Sequence, residues 1–186
     1  MDLDEINLEA EEAMERAVSY LQHEFASIRT GKASPSLVEN LDVEAYGTSM
    51  KLKQLAVISA PEARLLVIQP FDANTTQDIA KAIQESRLGI NPAVEGKIIR
   101  LPIPELSEDR RRELVKAVRQ IAEESRVRVR SSRREAIEAA RKLQKEGKIT
   151  EDDLKIAEKD IQKLTDDFIK KIDEHLASKE AELMRI

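Results

Sequence analysis

The sequence predicts an α+β protein of two parts: a long three-helix bundle with a small α/β domain inserted into it. Two observations predict this. All six prolines (Pro35, Pro61, Pro70, Pro92, Pro102, Pro104) fall in one central block, whereas residues 1–30 and 105–186 hold a single glycine, Gly147, and no proline. Proline removes a backbone donor and clashes inside a helix, so the partition separates helical from turn-rich territory. In the outer segments, apolar residues recur every three or four positions, the spacing of one stripe along a helix. Composition agrees: 36% charged and 3% aromatic residues suit exposed helices better than one thick core.

The first helix follows Leu3, Ile6, Ala10, Ala13, Ala17, Leu21, Phe25 and Ile28. Ser107 is a good N-cap for a second helix running to about Glu146, with Leu114, Val118, Ile121, Val129, Ala136, Ala140 and Leu143 on its apolar side and Gly147 as its stop. Thr150 and Asp153 form a capping-box pattern with Asp in place of Glu or Gln. They open a third helix through Ala157, Ile161, Leu164, Phe168, Ile172, Leu176 and Leu183. A helix of about 40 residues is about 60 Å long, so the bundle is expected to be a rod. Within the central block, "LDVEAY" (41–46) alternates, and "LLVIQ" (65–69) and "KIIRL" (97–101) are β-branched; all three read as strands. "NTTQDIAKAIQESRLG" (74–89) reads as a helix with an Asn/Thr start and a glycine stop.

The first helix cannot persist alone in water and must pair with the last two, which makes residues 31–104 an insertion between 1–30 and 105–186. Two short crossings, "RTGKASPS" and "LPIPEL", join the parts. Gly31, Ser34 and Pro35 on one and Pro102 and Pro104 on the other form a candidate hinge, combining permitted bends with local stiffness.

Several function classes are excluded or unsupported. With no cysteine, thiolate metal sites, disulfides and a cysteine nucleophile are ruled out. The acidic start "MDLDEINLEAEEAMER" has no signal-like apolar run, and no segment reaches the roughly 20 apolar residues of a membrane span, so a cytoplasmic protein is expected. His23 and His175 lack metal-ligand spacing, the five glycines are scattered, and the carboxylates of "EDD" (151–153) sit at a helix start where the macrodipole explains them. No catalytic residues, metal site or cofactor are expected.

The stretch "RVRVRSSRREAIEAARK" (126–142) carries seven positive and two negative charges in a chain of formal net charge −5. At about 100° per residue, Arg112, Arg119, Arg126, Arg130, Arg133, Arg134 and Arg141 fall within roughly a third of the helix circumference. One reading is a solvated face neutralised by acidic neighbours on the other two helices. The other is an RNA-binding face, favoured by the choice of arginine over lysine and by Ser131 and Ser132, whose hydroxyls could reach phosphate.

The segments "IRTGKASPSLVENLDVEAYGT", "LGINPAVEGKIIRLPIPELSEDRRRELVK", "RVRVRSSRRE" and "EDDLKIAEKDIQKLTDDFIKKIDEHLASKEAEL" together resemble the ribosome recycling factor family across essentially the whole chain. Two departures are visible: Lys32 where that family often has arginine, and Ser131 where it often has asparagine. Both keep hydrogen-bonding character. The resemblance implies an L-shaped, monomeric two-domain protein that binds no nucleotide itself. It also implies binding to the post-termination ribosome and, with elongation factor G and GTP, separation of the subunits. Carried over by motif, Arg130, Arg133 and Arg134 would contact large-subunit rRNA, with Arg126 on the same face and Arg29 and Arg111 as further candidates. A coiled-coil scaffold or a general RNA-binding module without recycling activity is the alternative.

Overall fold

A computed structural model describes residues 2–185. The chain divides into two compact units: one runs to Phe25 and resumes at Arg112, and the other is Ala26–Arg111. Residues 26–30 and 105–111, assigned by sequence to the bundle, thus cluster with the second unit. The reason lies in their bonding. The Arg29 guanidinium donates to the Pro104 carbonyl, Glu105 pairs with Arg64, and Leu106 is buried.

The first unit is built from α1 (Leu3–Ala26), α4 (Glu108–Lys145) and α5 (Glu151–Met184), each belonging to it for all but a terminal residue or turn. Cross-helix partners give the directions. Arg141 meets Glu158, Arg126 meets Asp173 and Arg119 meets Glu180, so α4 and α5 are antiparallel. Arg128 lies over Tyr20, and Ile6 and Ala10 pack with Ala136, Leu143 and Ile161, so α1 runs against α4 and along α5. The caps match their sequence signals. Ser107 Oγ accepts from the Arg110 N–H at 3.2 Å, and Thr150 and Asp153 exchange their capping-box bonds. Gly147, at φ 70°, ends α4 with bonds from its own N–H to Gln144 and from the Lys148 N–H to Leu143; only a residue at ease in the left-handed region closes both. The buried stripes differ from the sequence reading by a small rotation. Met14 and Val18 are buried rather than Ala13, and Ala122 and Ser125 rather than Leu114 and Ile121.

In the second unit, β1 (Asp42–Ala45) and β2 (Thr48–Lys51) form a hairpin, followed by the single turn α2 (Leu52–Leu55). An antiparallel sheet takes the order β3-β4-β6-β5, from β3 (Ala56–Glu62), β4 (Leu65–Pro70), β5 (Ala93–Glu95) and β6 (Ile98–Pro102). Leu66 sits opposite Leu101 and Ile68 opposite Ile99, all fully buried, with Ile79 and Ile83 of α3 (Thr76–Glu85) and Val43 of the hairpin completing the core. Four elements lie outside the sequence reading. β2 is short and polar, α2 is one turn, and β3 and β5 are mostly exposed edge strands; Pro61 is tolerated in β3 because an edge need not donate on both sides.

One expectation needs correction. α3 begins at Thr76 with Thr75 in the capping position, in keeping with the Asn/Thr start, and the 3-10 turn before it, Ala73–Thr75, is capped by Asp72, whose carboxylate accepts from the Asn74 N–H at 3.0 Å; but α3 stops at Glu85, closed by Ser86 on the Ile83 carbonyl, before Gly89 is reached. Both chain crossings are also anchored. Ala33 N–H donates to the Ala63 carbonyl at 2.7 Å and Ile103 N–H to the Arg64 carbonyl at 2.8 Å, so one β-turn holds both. Pro102 is the last paired residue of β6, opposite Leu65.

Candidate nucleic-acid interface

The seven arginines of the α4 stripe do not share one environment. Those spaced by seven, Arg119, Arg126 and Arg133, face α5, as does Arg141 further along the helix. Arg119 Nε donates to Glu180 at 2.6 Å, Arg141 Nε to Glu158 at 2.9 Å, and Arg133 Nη1 to the side-chain Oε1 of Gln162 at 3.0 Å. Hydrogen bonding to Glu180 raises the pKa of Arg119. Acidic neighbours on α5 therefore neutralise part of the arginine stripe. The spacing of seven along α4, matched by Asp173 and Glu180 on α5, is the signal that would have foretold it.

Arg126 is the most committed. Its side chain is 19% exposed; Nε and Nη2 both donate to Asp173 Oδ1 at 2.9 and 2.6 Å, and Nη1 donates to Glu123 at 3.1 Å. Burial opposes its charge, but the bonds to Asp173 and Glu123 outweigh it, and its pKa is raised. The other oxygen of Glu123 accepts from Arg130 Nη1 at 3.1 Å, and the bonds from Arg126 and Arg130 lower that carboxyl's pKa. One carboxylate therefore bridges two arginines, a contact that sequence reading missed because Glu123 stands outside the quoted stretch.

Arg130, Arg133 and Arg134 lie within about 100° of one another on adjacent turns. Arg130 and Arg134 are exposed and Arg133 is half-buried. Arg130 and Arg133 each spend one nitrogen, on the shared Glu123 and the neutral Gln162 respectively. A guanidinium carries five N–H donors in a planar fork, enough to hold Glu123 or Gln162 and a phosphate together. Ser131 and Ser132 are less available: one hydroxyl donates to Glu135 at 3.1 Å and the other to the Arg128 carbonyl at 3.1 Å. Arg128 turns to the α1 side and lies 4.0 Å from the Tyr20 ring centre.

The remaining candidates belong to the second unit. Arg29 is partly buried, its Nε has no partner, and burial and the neighbouring Arg110 charge lower its pKa. Its bond to Pro104 ties the ingoing to the outgoing crossing. Arg111 lies in the first turn of α4, half-buried, with its N–H bonded to the Ser107 carbonyl. Gly31, at φ 85°, precedes the Ala33 anchor, while Ser34 hydrogen-bonds Ser36 at 2.8 Å and Pro35 opens a 3-10 turn.

Elsewhere the chemistry is bland. His175 bonds Gln22 at 3.1 Å and His23 is exposed. No metal-holding cluster of His, Cys, Asp and Glu occurs among the described residues, and none of their helices is long and apolar enough to cross a membrane.

The profile of the ribosome recycling factor family matches residues 21–184. The ribosome-recycling factor of Akkermansia muciniphila is 56% identical over 188 residues, covering all of both chains, and that of Rubrobacter xylanophilus is 54% identical over 96% of each. A solution structure of a ribosome recycling factor superposes with a TM-score of 0.80 at 45% identity, over 100% of this chain and 99% of that one. A second structural relative, with a TM-score of 0.69 at 45% identity over the whole of both chains, comes from a set of T. thermophilus ribosome recycling factor and E. coli elongation factor G bound to the E. coli post-termination complex.

Proposed function

The chain belongs to the ribosome recycling factor family, and on that premise we propose that it binds the post-termination ribosome and, with elongation factor G and GTP, separates the subunits for another round of translation. The observation that carries this is the match over the whole length of both chains, since a scaffold or RNA-binding module sharing one element would match only in part. The chain is not itself an enzyme: nucleotide hydrolysis belongs to the elongation factor.

Arg130, Arg133 and Arg134 are the proposed contacts to large-subunit rRNA. Arg130 and Arg133 are each held by one bond, to Glu123 and Gln162, which limits the ordering needed to present their forks, while Arg134 is exposed beside them. Arg126 serves the same face indirectly, by fixing α4 to α5 and aligning Glu123. The acidic balance of the rest of the chain limits nonspecific RNA binding while the arginines supply a local footprint. Arg29 and Arg111 have a different proposed role, holding the crossings rather than reading RNA.

Gly31, Ser34, Pro35, Pro102 and Pro104 are the proposed hinge residues, combining permitted bends with local stiffness beside the anchors at Ala33 and Ile103. The protein works as a monomer in the cytoplasm and needs no cofactor of its own. A polysome-breakdown assay with elongation factor G and GTP tests the function. Conversion of polysomes to free subunits is expected; no conversion by folded protein would overturn the reading.

A further inference from the structure

The ion pairs that join α4 to α5 keep one register, and it breaks at Arg133. Arg119 pairs with Glu180 at 2.6 Å, and Arg126, seven residues on along α4, pairs with Asp173, seven back along α5, also at 2.6 Å. Arg141 pairs with Glu158 at 2.9 Å in the same register. A further step of seven from Arg126 and from Asp173 sets Arg133 opposite Asp166. The carboxylate is there, but the pair is not made. Arg133 Nη1 donates instead to Gln162 Oε1 at 3.0 Å, and Gln162 Nε2 donates to Asp166 Oδ1 at 2.9 Å. Gln162, one helical turn before Asp166 on α5, is bonded to both.

The chemistry of the three groups fixes this arrangement. A guanidinium only donates and an ionised carboxylate only accepts, whereas a primary amide does both, so the amide turns its oxygen to Arg133 and its nitrogen to Asp166. Two opposite charges that the register would join are thereby kept on separate partners. The amide carries no net charge, so its bond orders one nitrogen of Arg133 without cancelling the charge. The other arginines of the stripe sort in the same way. Arg119, Arg126 and Arg141 each own a carboxylate of α5. The three proposed for rRNA do not: Arg130 shares Glu123 with Arg126, Arg133 has the amide, and Arg134 is exposed with no bond across to α5.

Phosphate binding draws on an arginine whose charge is free to displace counterions; one already paired with a carboxylate must first give up that pair. Resting on the rRNA contacts proposed above, we propose that Gln162 is a specificity-determining residue for rRNA binding: it engages the Asp166 carboxylate and so keeps the charge of Arg133 for an RNA phosphate. Asp166 is the competitor, and Gln162 restrains it. Residue 162 therefore decides whether Arg133 joins the arginines that fix α4 to α5 or those that face RNA. Removing the amide releases Asp166, and the register closes at Arg133 as it does at Arg126. Stability and binding then move in opposite directions, because the new ion pair ties the helices together while it neutralises the RNA contact. A residue that only braced Arg133 would lose both together.

The test uses the full chain with Gln162→Ala and Asp166→Asn, singly and together, beside Arg133→Ala, each titrated against large ribosomal subunits across salt. Gln162→Ala is expected to weaken binding about three- to fivefold, the upper end of what an exposed ion pair supplies, and to flatten the salt slope toward that of Arg133→Ala. Its melting temperature stays at or above that of the wild type, since alanine is the better helix former and an ion pair replaces neutral bonds. Asp166→Asn alone is expected to change affinity by less than about twofold, whereas in the double variant it restores wild-type affinity and slope. Wild-type binding by Gln162→Ala overturns the proposal. So does a double variant as weak as Gln162→Ala, which would make Gln162 a mere brace, or an equal gain from Asp166→Asn in both backgrounds, which would make it a general charge effect. If Arg133→Ala itself binds as the wild type does, the rRNA contact falls and the proposal with it; if Arg133→Ala is weakened and Gln162→Ala is not, the proposal alone falls.

Discussion

Replacing Arg126 by alanine separates the structural from the RNA-facing arginines. Arg126 makes two bonds to Asp173 and one to Glu123, and its side chain is 19% exposed while its partners are 54% and 52% exposed. Well-buried charge-assisted bonds contribute about 1.5–3 kcal/mol each and exposed pairs about 0.2–1. The half-solvated carboxylates place Arg126 between these limits, because both regain water when the guanidinium leaves. A loss of about 1–2 kcal/mol follows. For a chain of this length that lowers the melting temperature by about 2–8 °C. Arg134 is exposed and makes no such bonds across to α5, so Arg134→Ala should change stability by less than about 0.5 kcal/mol. Far-ultraviolet circular dichroism melts of the two variants measure the difference, and large-subunit titrations across salt supply the complement. Arg134→Ala should flatten the salt dependence by about 0.7–0.9 for each phosphate it no longer neutralises. Equal melting temperatures for Arg126→Ala and wild type would refute the structural role, as would a salt slope for Arg126→Ala as flat as that of Arg134→Ala.

Ser125 is fully buried with an unpartnered hydroxyl, so Ser125→Ala should raise stability by up to about 1 kcal/mol in a denaturant titration. Glu123 and Asp153 have lowered pKa values in the folded chain, from the bonds to Arg126 and Arg130 and from the Thr150 backbone and hydroxyl respectively. Their stabilisation is present above the ordinary values of 4.5 and 3.8 and lost as pH falls through the lowered ones; Glu123→Gln should flatten the acid limb of a stability–pH curve measured at low salt. Gly147→Ala should cost about 1 kcal/mol by thermal melt, because alanine must enter the left-handed region to close α4.

The long helices were legible because their stripes and caps are written locally. Ser107, Gly147 and the Thr150–Asp153 box depend on residues within one turn, and each does what its sequence signal states. Strands β4 and β6 were legible for the same reason, as runs of Leu, Ile and Val that meet across one ladder. What escaped depends on partners distant in sequence. β3 and β5 are exposed edge strands defined by their neighbours rather than by alternation, and Asp72 caps a 3-10 turn that precedes the helix proper. The arginine face divides in the same way. Helical spacing within α4 placed Arg126 with Arg130, Arg133 and Arg134, but α4 read alone leaves out Asp173 of α5, which occupies Arg126. The left-handed tyrosine at the hairpin tip, Tyr46, carries no propensity signal at all, since tyrosine ordinarily reads as strand.

The most direct test of the account compares Arg133→Ala with Arg128→Ala in equilibrium binding to large ribosomal subunits over a range of salt concentrations. Arg133 lies on the α5 edge of the proposed RNA face, next to Arg130, whereas Arg128 lies over Tyr20 on the α1 side. Arg133→Ala is predicted to weaken binding and to flatten the salt slope by about 0.7–0.9, while Arg128→Ala keeps the wild-type slope and loses only the roughly 0.5–1 kcal/mol of stability that its ring contact supplies. Identical affinities and wild-type slopes for both variants would contradict the account, leaving the arginines of α4 as solvated surface.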